Sequence, residues 1–243
     1  RYMNQENTIL FLMFHRIIPN TNIIESDYDI SFERFKKIAK KIDNSKNEKS
    51  NHITIIPTFD DGNKSDLLCA KYLNEYNIKA IFFVIIDKIN NEGYLSDKDI
   101  IEISNLGHYV GSHTMSHLVC PKSKSDIVLK ELIDSKEYLE KLLKKKCDFF
   151  AFPGGLFSKR DFLLAQKANF KYIFSTFEKL PGKINIDEPN PRMHIRVSTL
   201  GNLNSIIQID KYYYLFRYIR SVIKDVIDTI KFHTSLNIFK KKL

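Results

Sequence analysis

Three short stretches of this chain gather side chains of the kind that carry out hydrolysis. Thr58, Phe59, Asp60, Asp61 and Gly62 end an apolar run on two adjacent carboxylates. Such a pair repels itself and loses hydration, so something must stabilise it. Neighbours along a strand point to opposite faces, so the two carboxylates can do different jobs. They cannot act as a glycosidase pair, which holds substrate between carboxyl groups roughly 5 to 9.5 Å apart. The second stretch is Ser112, His113, Thr114, Met115, Ser116 and His117. Two imidazoles four residues apart lie on one helical face or at the ends of a tight loop, and either way they can share one cation. Thr114 stands where the zinc-peptidase HExxH motif needs its glutamate, so that motif does not apply. Two imidazoles and one carboxylate leave open positions on a metal, as catalytic zinc sites do, and the same set suits non-haem iron. The third stretch runs Phe150, Ala151, Phe152, Pro153, Gly154 and Gly155, a proline-fixed turn whose glycines let backbone N–H groups approach a ligand. Each stretch alone is ordinary; together they outline a metal-assisted hydrolytic site.

The elements around these stretches alternate. Residues 9–14, 53–59, 81–86, 109–112, 149–152, 172–175 and 195–197 read as short strands rich in apolar and β-branched side chains. Between them, apolar residues recur at helical spacing. Ser31 caps a helix carrying Phe32, Phe35, Ile38, Ala39 and Ile42, and a second helix carries Leu67, Leu68, Lys71, Tyr72 and Leu73. Ser96 and Asp99 form a capping box for a helix ending near Asn105, residues 126–145 form a long amphipathic helix, and Ser158 opens one that ends by Asn169. Alternation of this kind predicts an α/β fold with parallel strands and helices outside. The number of units favours a distorted (β/α) barrel of about seven strands over an open sheet. All three chemical stretches then fall at the C-terminal ends of strands, where such barrels place their reactive groups.

Composition excludes several classes. With 243 residues, 18 Phe, 12 Tyr, 8 Gly and 7 Pro, the chain is neither collagen-like nor disordered, and it is long enough for one substantial core. Its longest apolar run, residues 80–86, is far short of the roughly 20 residues of a membrane-spanning helix. No secretory signal is visible in residues 1–8, which gives the expectation of a cytoplasmic or membrane-peripheral protein. Cys69, Cys120 and Cys147 show no metal or disulfide spacing and are expected to be buried, inert thiols. The formal charge of +9 is concentrated at one end: residues 211–243 carry a net +6, and the other residues share +3. This argues against nucleic acid as a partner, since a nucleic-acid binder shows its charge within the folded body. The expected organisation is a catalytic domain over 1–205 and a basic amphipathic helical segment over 206–243. That segment either packs on the barrel or makes peripheral contact with a membrane or anionic polymer.

The order TFDDG, SHTMSH, FAFPGG resembles the polysaccharide deacetylase family, the NodB-homology domain of carbohydrate esterase family four, over roughly residues 8–200. The resemblance implies removal of an acetyl group, chiefly N-acetyl, from a carbohydrate by a divalent metal, usually zinc. It implies that Asp61, His113 and His117 hold the metal, that Asp60 is the general base, and that a backbone N–H near Pro153, Gly154 and Gly155 helps the oxyanion. Two departures stand out. The arginine that tunes the base in many members is missing from the third stretch, leaving Arg192 and Arg196 as candidates. The usual late histidine acid is also missing. Phe14, His15 and Arg16 instead resemble the strand end of the branch acting on poly-N-acetylglucosamine, which implies His15 as the acid, with His194 the alternative. His194 precedes a strand, which would place it at the opposite rim. His52, His108 and His233 adjoin no motif and read as structural or exposed. Two other classes stay open at this level: a carbohydrate-binding pseudoenzyme of the same fold, and a non-haem iron protein.

Overall fold

The computed structural model describes residues 8–19, 28–46, 53–176 and 193–198. In chain order the elements are β1 (Thr8–Phe14), β2 (Ile17–Ile18), β3 (Ile30–Ser31), α1 (Phe32–Lys46), β4 (Ile53–Phe59), α2 (Asp66–Glu75), β5 (Ile81–Val84), α3 (Asp97–Asn105), β6 (Tyr109–Ser112), α4 (Ser125–Leu143), β7 (Phe149–Ala151), α5 (Lys159–Lys167), β8 (Tyr172–Thr176) and β9 (Met193–Ser198). Seven of the strands close a barrel in the order β1, β4, β5, β6, β7, β8, β9, and every pairing is parallel. This is the β/α barrel that the alternation of strands and helices predicts. Among the described residues, no helix is long and apolar enough to cross a membrane. His52, His233, Arg192, the boundary at 205 and the basic segment 206–243 lie outside the described residues.

Helix starts follow local chemistry. The Ser31 hydroxyl accepts from the Arg34 N–H at 3.2 Å, as an N-cap does. Full capping boxes open α3 and α5, formed by Ser96 with Asp99 and by Ser158 with Asp161. The short β2–β3 pair had no sequence signal, because two residues are too few to show a period.

Strand alternation sorts the apolar side chains into two layers. Phe11, Ile81, Phe83, Ala151 and Phe174 form one buried cluster with Ile56 and Phe149. Phe174 of β8 packs against Phe11 of β1 and Phe83 of β5 at centroid distances of 5.0 and 5.2 Å. Since β5 and β8 are not neighbours in the sheet, these rings meet inside the barrel and plug it. Residues of the other parity face the helices. Phe14, Phe59 and Phe82 stack in series at 5.1 and 4.6 Å, and Phe35 of α1 packs edge-on against the first two. Burial of rings of this size is the main stabilising term of the fold.

Gly111 lies on β6 between two rings of the plug. A Cβ there would come within 2.8 Å of the Phe83 ring and 2.9 Å of the Phe149 Cβ. Gly111→Ala should therefore destabilise the protein by about 1–3 kcal/mol through overpacking, read as a lowered denaturant midpoint with an unchanged slope. A neutral effect would mean that the plug is loosely packed.

One buried group stands apart from the apolar packing. Asp66, in the first turn of α2, has no exposed surface. Neither of its carboxyl oxygens makes a hydrogen bond of normal geometry among the described residues, and the Asn63 backbone offers only partial compensation. Burial first, then the charges of Asp61 and Asp60, push its carboxyl well above the usual carboxylate range. The folded state therefore holds this proton more tightly than the unfolded chain does. Stability is lost as pH rises above the unfolded value of about 3.9. Asp66→Asn, in the presence of chelator, should raise Tm at neutral pH and lose that advantage toward pH 4. A gain independent of pH would show that charge is not the cause.

Candidate active site

The ladder between β1 and β4 brings the first two chemical groups together. Phe14 pairs with Phe59, and one step further the Asp60 N–H donates to the Phe14 carbonyl at 3.0 Å. His15 and Asp60 thus leave their strands side by side, with His15 Nε2 4.0 Å from Asp60 Oδ2. Asp60 is only 3% exposed. Beyond His15 the chain is locked. The Arg16 guanidinium donates twice to the buried Asp29 carboxylate, at 3.0 and 2.7 Å, and the Ile30 N–H donates to the Arg16 carbonyl at 3.2 Å. The lock brings the Tyr28 ring to 4.9 Å from the His15 ring.

Asp61 corrects a sequence expectation. Strand alternation would send it to the face opposite Asp60, but β4 ends at Phe59 and Asp61 takes φ 76°, in the left-handed region. That turn swings its carboxylate into the cluster that Asp60 also touches. Asp61 Oδ1 lies 3.6 Å from His113 Nε2 and 3.5 Å from His117 Nε2, and Asp60 Oδ2 lies 4.0 Å from His113 Nε2. Gly62 continues the turn at φ 73°, where a Cβ would stand 2.9 Å from a Val84 methyl.

The two histidines take the loop alternative rather than the helical one. β6 ends at Ser112, and Thr114 and His117 both have positive φ, 67° and 64°. The His113 N–H extends the ladder to the Val84 carbonyl at 2.9 Å. The His113 side chain is buried, and its Nδ1 lies 2.8 Å from the Ala151 carbonyl. A carbonyl only accepts, so Nδ1 carries a proton, and Nε2 is the nitrogen turned toward Asp61. Burial lowers the His117 pKa against the opposing pull of Asp60.

The donor chemistry of this cluster fits a divalent cation. One carboxylate oxygen and two imidazole nitrogens lie within 4.8 Å of one another. Ligands about 2.0–2.2 Å from a tetrahedral zinc stand about 3.3–3.6 Å apart, close to the two separations from Asp61 to the imidazoles. The His113–Ala151 bond is of the kind that orients an imidazole able to ligate a metal.

The third stretch forms a turn beside β7. Gly154 and Gly155 have φ 60° and 66°, and a Cβ on Gly155 would meet the Thr176 hydroxyl at 2.3 Å. Pro153 has no N–H, and the Gly155 N–H donates to the Phe152 carbonyl at 2.9 Å. Among the described residues this leaves the Gly154 N–H as the turn's uncommitted donor. The backbone of β9 begins at Met193, so His194 sits within the strand, near its start and opposite Phe174, rather than ahead of it. Arg196 is level with Phe11 and Thr176.

Other cysteines and histidines have structural places. Cys69, Cys120 and Cys147 are buried free thiols, and burial pushes Cys120 and Cys147 up to about 12. His108 accepts from the Ala80 N–H through Nδ1 and donates to the Ala70 carbonyl through Nε2. Sequence reading missed the Arg16–Asp29 lock and Tyr28, whose partners are 13 residues away with no shared period. It also missed Glu131, although a glutamate next to the apolar stripe of α4 was a usable signal.

Comparison with known proteins agrees with this geometry. Residues 47–173, just over half of the chain, match the family model described as polysaccharide deacetylase. The peptidoglycan-N-acetylglucosamine deacetylase of Bacillus cereus is 28% identical over 134 residues, covering 54% of this chain and 61% of that protein. The poly-beta-1,6-N-acetyl-D-glucosamine N-deacetylase of Staphylococcus aureus is 28% identical over 139 residues, covering 51% of this chain and 47% of that protein. The chain thus spans about half to three-fifths of the length of these relatives. The structure of the Streptococcus pyogenes deacetylase PplD in complex with acetate shares the fold, with a TM-score of 0.69, 21% identity, and coverage of 82% of this chain and 96% of that one. On the family match, set beside a parallel barrel with its acidic and histidine side chains gathered at one rim, this chain belongs to the polysaccharide deacetylase family.

Proposed function

We propose that this chain is a metal-dependent hydrolase that removes N-acetyl groups from an N-acetylglucosamine polymer of the cell envelope. The observation that carries the reading is the convergence of Asp61, His113 and His117 within 4.8 Å, with Asp60 and His15 against them. The relatives named for deacetylation of peptidoglycan and of poly-β-1,6-N-acetylglucosamine support the substrate class.

In this reading Asp61, His113 and His117 hold the ion. When bound, it supplies Lewis-acid polarisation of the acetyl carbonyl and acidifies the attacking water. Asp60 takes the proton of that water. It is almost fully buried and lies 4.0 Å from both His113 Nε2 and His15 Nε2, within the same cluster. The Gly154 N–H is the backbone donor suited to the developing oxyanion. The departing amine needs a proton, and His15, on the neighbouring strand end, is the acid that delivers it. The Arg16–Asp29 lock keeps that imidazole at the rim.

Two outcomes are expected. Chelation should abolish acetate release from poly-β-1,6-N-acetylglucosamine oligomers, and Zn²⁺ or Co²⁺ should restore it. Full activity in chelator, or full metal occupancy in both His113→Ala and His117→Ala, would refute the metal assignment. Asp60→Asn and His15→Ala should each lower kcat by about 10²–10⁴-fold while keeping the metal, and His194→Ala should do little. Metal binding with no acetate release from any N-acetylated glycan, peptidoglycan fragments and chitooligosaccharides included, would favour the carbohydrate-binding pseudoenzyme.

A further inference from the structure

His113 and His117 are held very differently. The His113 side chain is buried and pinned by a strand carbonyl, whereas the His117 side chain is 42% exposed and sits on a left-handed residue at the far end of the loop. A loop with positive φ at Thr114 and His117 does not keep that shape without external support. The support comes largely from α4. The Glu131 carboxylate accepts the Met115 N–H and the Ser116 N–H on Oε2, both at 2.9 Å, and the Ser116 hydroxyl on Oε1 at 2.9 Å. One helical turn further, the Ser135 hydroxyl meets that of Ser112 at 2.7 Å, and the same Ser112 oxygen accepts the Thr114 N–H at 3.1 Å. On the loop's other side, the Asp87 N–H donates to the Met115 carbonyl at 2.9 Å.

We propose that Glu131 is a positioning residue for the metal site. By gripping two consecutive N–H groups and a hydroxyl between His113 and His117, it fixes the loop shape that brings the His117 imidazole to Asp61. The inference rests on the metal reading above. Glu131 contacts neither proposed ligand, so its effect passes through the loop backbone. Its grip depends on geometry rather than charge. Both backbone donors converge on a single oxygen, which a glutamine carbonyl can supply, and the Ser116 hydroxyl can accept from the glutamine amide. An aspartate keeps the charge but is one methylene too short to reach the loop.

The test is a pair of variants read by Zn²⁺ affinity in chelator competition and by the visible spectrum of the Co²⁺ form, with Tm of the metal-free protein as control. Glu131→Gln should keep affinity and spectrum close to those of the unchanged protein. Glu131→Asp should weaken Zn²⁺ binding by about 10–100-fold, the usual cost of disturbing an outer hydrogen-bonding partner, and should alter the Co²⁺ spectrum at nearly unchanged Tm. Unchanged affinity in Glu131→Asp overturns the proposal. A loss in Glu131→Gln equal to that in Glu131→Asp also overturns it, since a side chain of the right reach would then not be enough to hold the loop. If the unchanged protein binds neither Zn²⁺ nor Co²⁺, the metal reading itself fails, an outcome distinct from both.

Discussion

Asp60 keeps only 3% of its surface in contact with solvent and has a second carboxylate as its neighbour in sequence. Placing two like charges at the mouth of an apolar barrel costs several kcal/mol unless each charge is paired or ligated. The side chains around the pair can be read as answers to that cost. His113 is oriented by its bond to a strand carbonyl, and burial lowers the His117 pKa; both rings turn an Nε2 toward Asp61. With both rings neutral, their lone pairs and a carboxylate oxygen about 3.5 Å away repel unless a cation lies among them, and this is the physical basis of the proposed metal centre. Asp66 feels the same field from behind and answers in the other way available to a carboxyl group, by holding its proton.

The barrel turns this local chemistry into a site by counting residues in twos. Phe11, Ile56, Ile81, Phe83, Phe149, Ala151 and Phe174 belong to the interior cluster. Stepping by two from Phe11, Ile56 and Gly111 leads to His15, Asp60 and His113, the next interior positions as the strands run out. The parallel registers of Phe14 with Phe59 and of Val84 with Ser112 bring those ends to one level. The plug beneath is aromatic and tightly filled, as Gly111 shows by having no room for a methyl group. Among the described residues the plug thus gives the rim a packed floor.

Much of this was legible in the sequence because it is written in short periods. The seven barrel strands, the helices and the Ser96–Asp99 capping box show themselves within windows of a few residues. The three chemical stretches are contiguous, and strand polarity put them at one rim. What was not legible depends on pairs far apart in sequence or on backbone reversals at strand ends. Asp61 was assigned to the wrong face because alternation was extended two residues past the end of β4. Tyr28 meets His15 only because Arg16 grips Asp29. Glu131 reaches Met115 and Ser116 across 16 and 15 residues, and nothing local marks that contact except a glutamate beside an apolar stripe.

The rim also carries part of the fold's backbone strain. Asp61, Thr114 and His117 all adopt positive φ, a conformation that costs a non-glycine residue about 1–2 kcal/mol, less for aspartate and histidine than for the β-branched threonine. Each is tied down by a neighbouring element. Asp61 follows an N–H bonded to β1, Thr114 is bonded through its own N–H, hydroxyl and carbonyl, and His117 follows the residues gripped by Glu131. Stability generated in the aromatic layers is thus spent in part on holding ligands in a shape they would not adopt alone. A ligand that binds only the shaped rim adds its binding free energy to the fold. The proposed ion would then return to the barrel some of the stability that assembling its site costs, and the strained turns and the aromatic plug become two sides of one thermodynamic linkage.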